Sequence, residues 1–378
     1  MTVRSVPAQF WRGGTSKALV FNAADIPEGD AARSALFKAA MGSPDDYGRQ
    51  LDGMGGGISS LSKICILGPS SHPEADVDYT FGQVPVGAGE VDFSGNCGNM
   101  SSAMGPAALA MGLVGPFTDG RASVRVHNTN TAKVIIVHFA VKDGQHDPSG
   151  DFVLDGVSGT ASPVELEFLD PAGAKTGTLL PTGRALDRVR LADGGEIEIS
   201  CIDAANPCVF VAAESLGKAG TELPEALEAD TEFLARIEEI RQEASLIMGL
   251  ASDKASAAAA QSLPKIAMVH PPRRYETLSA KGLEAEEYAI GIRMMSMGRP
   301  HRAVPVTGAV CLAIAARIEG SIPATVLAEP AAGFVIGHPS GSLSVDAKVV
   351  AEAGSVRAIS GTVYRTARKL FSGEVWLK

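Results

Sequence analysis

The hydrophobic positions of this chain change period along its length, and the same order of periods occurs twice. "SLSKICILGPSS" and "SLPKIAMVHPPR" each run from a lysine, Lys63 or Lys265, through a short apolar stretch to a proline. That is the pattern of a strand that begins after the lysine and stops at the proline. Later in each half a strand-like segment passes through small residues into an apolar run, "SGNCGNMSSAMGPAALA" and "AVPVTGAVCLAIAARI". "VDYTFGQVPV" matches "EEYAIGIRMM", setting Tyr79 beside Tyr288; eighteen residues then separate Tyr79 from Cys97 and Tyr288 from Val306. "VRVHNTNTAKVIIV" matches "FVIGHPSGSLSVDAKVV", and "GGTSKALVFNAADIP" matches "DAANPCVFVAAESLG". Chance explains any one of these; their shared order reads as a duplicated unit.

The turn-rich joint "DPAGAKTGTLLPTGRALDRV" predicts domains of residues 1–185 and 186–378, with the last strand free to return to the first domain. The segment "ELPEALEADTEFLARIEEIRQEASLIMGLA" has a clear amphipathic period and is expected as a surface helix of the second half only. The runs "AMGPAALAMGLVG" and "GAVCLAIAARI" are apolar nearly all round. A helix without a polar face must be enclosed, and the flanking segments are strands, so a sheet must wrap it. The expected class is α+β: two pseudo-symmetric domains, each a strongly curved sheet around a central apolar helix. Both helix N-termini would open on an interdomain cleft, the expected active site.

Composition narrows the function. The 378 residues suffice for two cores, and a formal charge of −10 argues against nucleic acid, whose phosphates need cationic partners. An anionic substrate must therefore be captured by locally placed donors. The longest apolar stretch, Ala103 to Leu113, is too short to span a bilayer. Five cysteines without framework spacing point to a reducing cytoplasm. No CxxC occurs and the seven histidines do not cluster, so no metal site is expected. "DGMGGGISS" lacks the GK[ST] ending of a phosphate loop and precedes a strand, so it is not read as a nucleotide site.

The motifs "RGGTSKALVF", "MGSPDDYGRQLDGMGGGISSLSK", "VDFSGNCGN" and "VYRTARKLFSGEV" together resemble the PrpF family of cofactor-independent isomerases, from Arg12 to Val375. That family shares the diaminopimelate epimerase fold. The resemblance implies a 1,3-allylic proton shift on an unsaturated di- or tricarboxylate such as 2-methylaconitate, methylitaconate or 4-oxalomesaconate, with no cofactor. The family's catalytic lysine and cysteine fall on Lys63 and Cys97. Diaminopimelate epimerases carry a cysteine at each of two such turns. Here the second turn offers Pro305 or Val306, depending on a one-residue register choice, which makes a two-thiol epimerase improbable.

An allylic shift needs a base, a site for dienolate charge and an acid. Lys63, at the edge of an apolar strand, is the candidate base. Cys97 precedes helical amides and could deliver the second proton, relay it through water, or only shape the pocket. One helix terminus contributes only about 0.3–1 kcal/mol to a nearby charge, so several donors are needed. Those expected are Asn96, Gly98, Asn99 and Ser101 at the first turn, and Thr307 and Gly308 at the second. Ser16 and Lys17 in "GGTSK", with His301 and Arg302 in "RPHRA", are candidate carboxylate ligands. The expected partner is a small polycarboxylate, and an exposed strand edge in either half would suit a homodimer. A competing reading is a non-catalytic polycarboxylate-binding accessory protein of an aconitase-like enzyme.

Overall fold

Parallel neighbours in a sheet need a crossover between them, and that requirement places a helix on the outer face of each unit. The computed structural model describes residues 5–93, 95–328, 333–352 and 355–377. They form two compact units, one of residues 1–167 and 364–378, the other of residues 168–363. The division thus falls at 167/168 where the joint was expected at 185/186, and the C-terminal strand belongs with the first unit.

The first unit contains β1 (Ser5–Gly13), β2 (Ser16–Asn22), α1 (Asp30–Met41), β3 (Lys63–Pro69), β4 (Val77–Gln83) and α2 (Gly98–Ala110). Then come β5 (Gly120–Asn128), β6 (Lys133–Lys142), β7 (Gln145–His146), β8 (Phe152–Val153) and β9 (Thr160–Ala161). Strand β10 (Val164–Leu169) leads into the second unit. That unit comprises β11 (Asp187–Arg190), β12 (Glu196–Ala204), β13 (Asn206–Ala212), α3 (Pro224–Ala229), α4 (Thr231–Ile247), α5 (Lys254–Ala259) and β14 (Lys265–His270). It continues through β15 (Tyr275–Glu276), β16 (Gly282–Leu283), β17 (Ile290–Ser296), β18 (Arg299–Pro300), α6 (Val306–Ala315), α7 (Ile322–Val326), β19 (Phe334–His338) and β20 (Gly341–Glu352). Strand β21 (Ser355–Arg365) leads back, and β22 (Ala367–Trp376) completes the first unit.

The pairings repeat. From β22 the first sheet runs β1, β2, β3, β4, β5, β6, antiparallel except at β2–β3 and β4–β5. From β11 the second runs β12, β13, β14, β17, β19, β20, antiparallel except at β13–β14 and β17–β19. The two parallel steps stand at the same places in both sheets. Lys63 and Lys265 open corresponding strands.

Two details of the sequence alignment change. Tyr79 lies opposite Leu67, and the corresponding position in the second sheet, opposite Val269, is Ile292. Tyr288 therefore is not the counterpart of Tyr79; the equal spacing of eighteen hid a four-residue offset. The amphipathic helix is also not peculiar to the second half. Helix α4 buries Phe233, Ile237, Ile240 and Ala244 on the outer face of its sheet. In the first unit α1 lies at the same chain position, between the parallel strands, and buries Leu36, Phe37, Ala40 and Met41. Its register is harder to see in sequence because it is only twelve residues long.

The central helices behave as their composition requires. Every residue of α2 from Met100 to Leu109 is buried, against β1, β2, β3, β5, β6 and β22. Helix α6 packs against β12, β13 and β20. Gly105 lets β6 approach, since a Cβ there would lie 2.9 Å from the Phe139 ring.

Candidate functional site

In a strand, successive side chains take opposite faces, so β3 sorts itself. Ile64 and Ile66 join the cluster beneath α1, which sends Lys63, Cys65 and Leu67 to the face that carries α2. Lys63 lies opposite Gln83 and is only 8% exposed. Its Nζ donates to Gln83 Oε1 at 2.6 Å and stands 4.9 Å from the centre of the Phe81 ring. The Gln83 amide cannot turn over, because its Nε2 donates to the carbonyls of Ser59 and Ser62. Among the described residues no carboxylate pairs with Lys63. An ammonium buried with one neutral partner and a ring face is placed to receive an anion.

Cys97 is the N-cap of α2, in extended conformation (φ −117°, ψ 97°), and no side chain caps the helix. The residue is buried, flanked by half-buried Asn96, Gly98 and Asn99. Its carbonyl accepts from the Ser101 amide at 3.0 Å and from Ser101 Oγ at 3.1 Å. The segment before it is held by the "NTNT" stretch. Asn128 Nδ2 donates to Asn96 Oδ1 at 3.0 Å, and Asn130 Nδ2 bridges the carbonyls of Phe81 and Phe93. Ser94 of "SGNCGN" lies outside the described residues.

The buried Cys65 thiol, on the Lys63 face of β3, feels both candidate residues. Burial pushes the Cys65 thiol up; the Cys97 side chain adds to this, while Tyr79 and Lys63 oppose it. Cys65 thus senses both Lys63 and Cys97. Tyr79 is fully buried, hydrogen-bonded to Cys65 Sγ at 3.9 Å, and its phenol is pushed up chiefly by burial. Both are neutral hydrogen-bonding groups beneath the site.

The turn between β1 and β2 closes the other side. Gly14 has φ +50°, and a Cβ there would meet Asn99 Oδ1 at 2.3 Å, so only glycine lets the turn sit on the first turn of α2. Asn99 Nδ2 donates to Thr15 Oγ1 at 3.1 Å, and Asn99 Oδ1 accepts from Arg365 Nε at 3.1 Å. Arg365 is buried and its guanidinium is pushed down to about 10 by desolvation, with Cys97 acting in the opposite sense. Sequence reasoning missed Arg365, although it stands in the quoted "VYRTARKLFSGEV"; its distance of 266 residues from Asn99 gave no local signal.

Of the expected ligands, Lys17 is turned to the other face of its sheet, and Arg302 belongs to the second unit. Lys17 shares a strand face with Leu19 and Phe21, and its Nζ lies 5.5 Å from the Phe10 ring, on the α1 side of the sheet. Arg302 is exposed and paired with Glu225 of α3 at 2.7 Å. Ser16 is buried at the start of β2, opposite Gly13, on the α2 face.

In the second unit, Pro305 is the N-cap of α6, which resolves the register choice. Thr307 and Gly308 lie in the first turn. Thr307 is half-buried, and Gly308 admits Met294, whose Cε would lie 2.8 Å from an added Cβ. Lys265 is half-buried, and desolvation pushes its ammonium down while the neighbouring Cys208 opposes this. His301 is pushed down by burial, its Nδ1 lies 2.7 Å from the Ala303 carbonyl, and Lys265 adds to the shift. Cys311 is fully buried in α6, near Cys208. Among the described residues no cluster of His, Cys, Asp or Glu could hold a metal, and no helix is long and apolar enough to cross a membrane.

This architecture also occurs in a hydroxyproline epimerase from Agrobacterium vitis, with a TM-score of 0.50, 14% identity and coverage of 100% and 94% of the two chains, a likeness of fold alone. A much nearer structure is that of methylitaconate-delta-isomerase: TM-score 0.90, 36% identity, coverage 99% and 95%. A 2-methyl-aconitate isomerase from Shewanella oneidensis is 41% identical over 98% of this chain and 96% of its own. A 4-oxalomesaconate tautomerase from Pseudomonas putida is 36% identical over 98% and 95%. The protein is therefore an isomerase. It belongs to the PrpF family, whose "PrpF protein" description matches residues 3–378.

Proposed function

We propose that the protein moves a double bond along an unsaturated di- or tricarboxylate, of the 2-methylaconitate or 4-oxalomesaconate type, by a 1,3-allylic proton shift without a cofactor. The observation that carries this reading is Lys63, buried with the neutral Gln83 as its hydrogen-bond partner on the sheet face that presents Cys97. Neutral Lys63 takes the proton from the allylic carbon. The C–H electron pair enters the π-system and spreads onto the conjugated carboxylate as a dienolate. Protonation at the far allylic carbon, with the Cys97 thiol as the acid, re-forms the carboxylate and leaves the double bond one position along. Lys63 then returns its proton to the thiolate, so the reaction is balanced and the enzyme is restored.

Arg365 is proposed as the carboxylate anchor. Its Nε is committed to Asn99 and its Nη1 to the Tyr364 carbonyl, which leaves Nη2 for substrate. A charge-assisted bond of this kind is among the stronger polar contacts. Preorganised donors contribute on the order of 3 kcal/mol each to a developing anion, more than the α2 terminus alone.

Incubation of candidate acids in deuterated water, followed by NMR, tests the reading. Deuterium is expected at the allylic carbon with wild-type protein, and loss of the base in Lys63→Ala should slow exchange by roughly 10²–10⁴-fold. Wild-type exchange by Lys63→Ala sinks the mechanism. Ligand-induced thermal stabilisation without exchange for any acid would instead favour an accessory binding role.

A further inference from the structure

A row of three cations crosses the first sheet. Arg12 in β1 lies directly opposite Lys17 in β2 on one side and Arg368 in β22 on the other. Like charges placed opposite one another on neighbouring strands destabilise a sheet. Arg12 is half-buried, and its guanidinium is pushed down first by desolvation and then by Arg368; no carboxylate offsets either. All three of its hydrogen bonds use Nη1, to the carbonyls of Gly14 and Thr366 at 3.0 Å and to Thr366 Oγ1 at 2.9 Å. Its Nε and Nη2 have no partner among the described residues, and Arg368 makes neither ion pair nor hydrogen bond there.

The two arginines line one open pocket of about 380 Å³, which Ser149, Ser158 and Thr160 complete with hydroxyls. No carboxylate lines it. In a chain whose formal charge is −10, a pocket with two guanidinium groups and no acid is an exception to the general field, and an anion would relieve the repulsion that Arg12 and Arg368 impose on each other.

We propose that this pocket is a second binding site, for a small oxyanion held between Arg12, Arg368 and the hydroxyls of the 149–160 segment. Its lining contains none of Lys63, Cys97, Asn99 and Arg365, and it does not depend on the proton shuttle. The ligand chemistry, two or more anionic oxygens in a small volume, is shared by inorganic phosphate and short dicarboxylates. The occupant would be felt at the catalytic turn, because Arg12 also holds the Gly14 carbonyl and Gly14 abuts Asn99.

Arg368 is the residue to change, since it is exposed and holds nothing else, whereas Arg12 anchors the Gly14 turn. Phosphate and malonate are titrated separately into wild-type protein and Arg368→Gln by calorimetry, at ionic strength held constant with sodium chloride. The expected result is saturable wild-type binding of phosphate, malonate or both, weakened roughly tenfold or more in Arg368→Gln, with isomerase activity in anion-free buffer unchanged. Binding of one anion alone assigns the ligand class; binding of both assigns a general oxyanion site. Equal affinity in wild type and variant, or no binding of either anion to wild type, overturns the proposal.

Discussion

The mouths of the two central helices share a scaffold and differ in chemistry. At the first, Cys97 caps α2 and Lys63 points to the same sheet face. At the second, Pro305 caps α6, with neither an N–H nor a titratable side chain, while Lys265 sits beside Cys208. Even the bracing is repeated: Asn128 and Asn130 hold the approach to Cys97, and Ser340 of the "HPSG" turn donates to the Arg302 carbonyl on the approach to Pro305. The strand order is the same at both helix mouths, and the cap residue differs: a thiol at one, an imino acid at the other.

The sharpest way to break this comparison is to remove each lysine in turn. Lys63→Ala should lower kcat by roughly 10²–10⁴-fold, and Lys265→Ala by less than roughly tenfold. Equal losses, measured by ultraviolet absorbance of the unsaturated acid, would mean that both halves supply proton chemistry. The next effect concerns Arg365, which has no counterpart in the expected ligand set. Arg365→Gln should reduce kcat/KM by roughly ten- to a hundredfold, mostly through KM, since charged hydrogen bonds contribute about 1.5–3 kcal/mol. A fall in kcat with KM unchanged would assign it to the transition state alone.

Two glycines compare the rigidity of the mouths. Gly14→Ala forces an L-residue to φ +50° against the fixed Asn99 amide and should cost about 1–3 kcal/mol. Gly308→Ala meets only the end of Met294, a flexible side chain, and should cost less than about 1.5 kcal/mol. Thermal denaturation of the two variants decides; a larger loss at Gly308 would reverse the assignment of rigidity.

The smallest contrast is in pH. Each unit holds a histidine whose buried Nε2 lacks a partner among the described residues, His146 in the first and His270 in the second. Burial lowers each to about 4. The unfolded histidine, near 6.5, binds a proton first, so stability falls as pH drops from about 6.5 to about 4 and gains nothing from this source above that window. His270→Gln should flatten this acid limb by about 1–3 kcal/mol at pH 4, read from urea unfolding at several pH values. An unchanged slope would show that His270 is not the group that titrates.

What could be read from sequence was local or periodic. The duplicated strand pattern, the enclosed apolar helices and the small residues around Cys97 are carried by adjacent positions, and so is the face of Lys63. The period-two rule also held the answer for Lys17, which shares the parity of Leu19 and Phe21 rather than that of Ser16. Arg302 finds Glu225 seventy-seven residues away, and Gln83 meets Lys63 only through strand register. Such partners depend on pairing across long loops, which neither propensity nor spacing encodes. Coincident spacing misled once, at Tyr288, where the offset lay in a loop.

The C-terminal strand has a consequence for biosynthesis. Strand β22 lies along β1, and Arg365 just before it reaches Asn99, so residues made after the whole second unit finish a unit whose other parts were made before it. As the ribosome releases the first 167 residues, β1 has an open edge and the Asn99 amide lacks its guanidinium neighbour. A fragment ending before Tyr364 would carry Lys63 and Cys97 without the strand that pairs with β1 and without the guanidinium that holds Asn99.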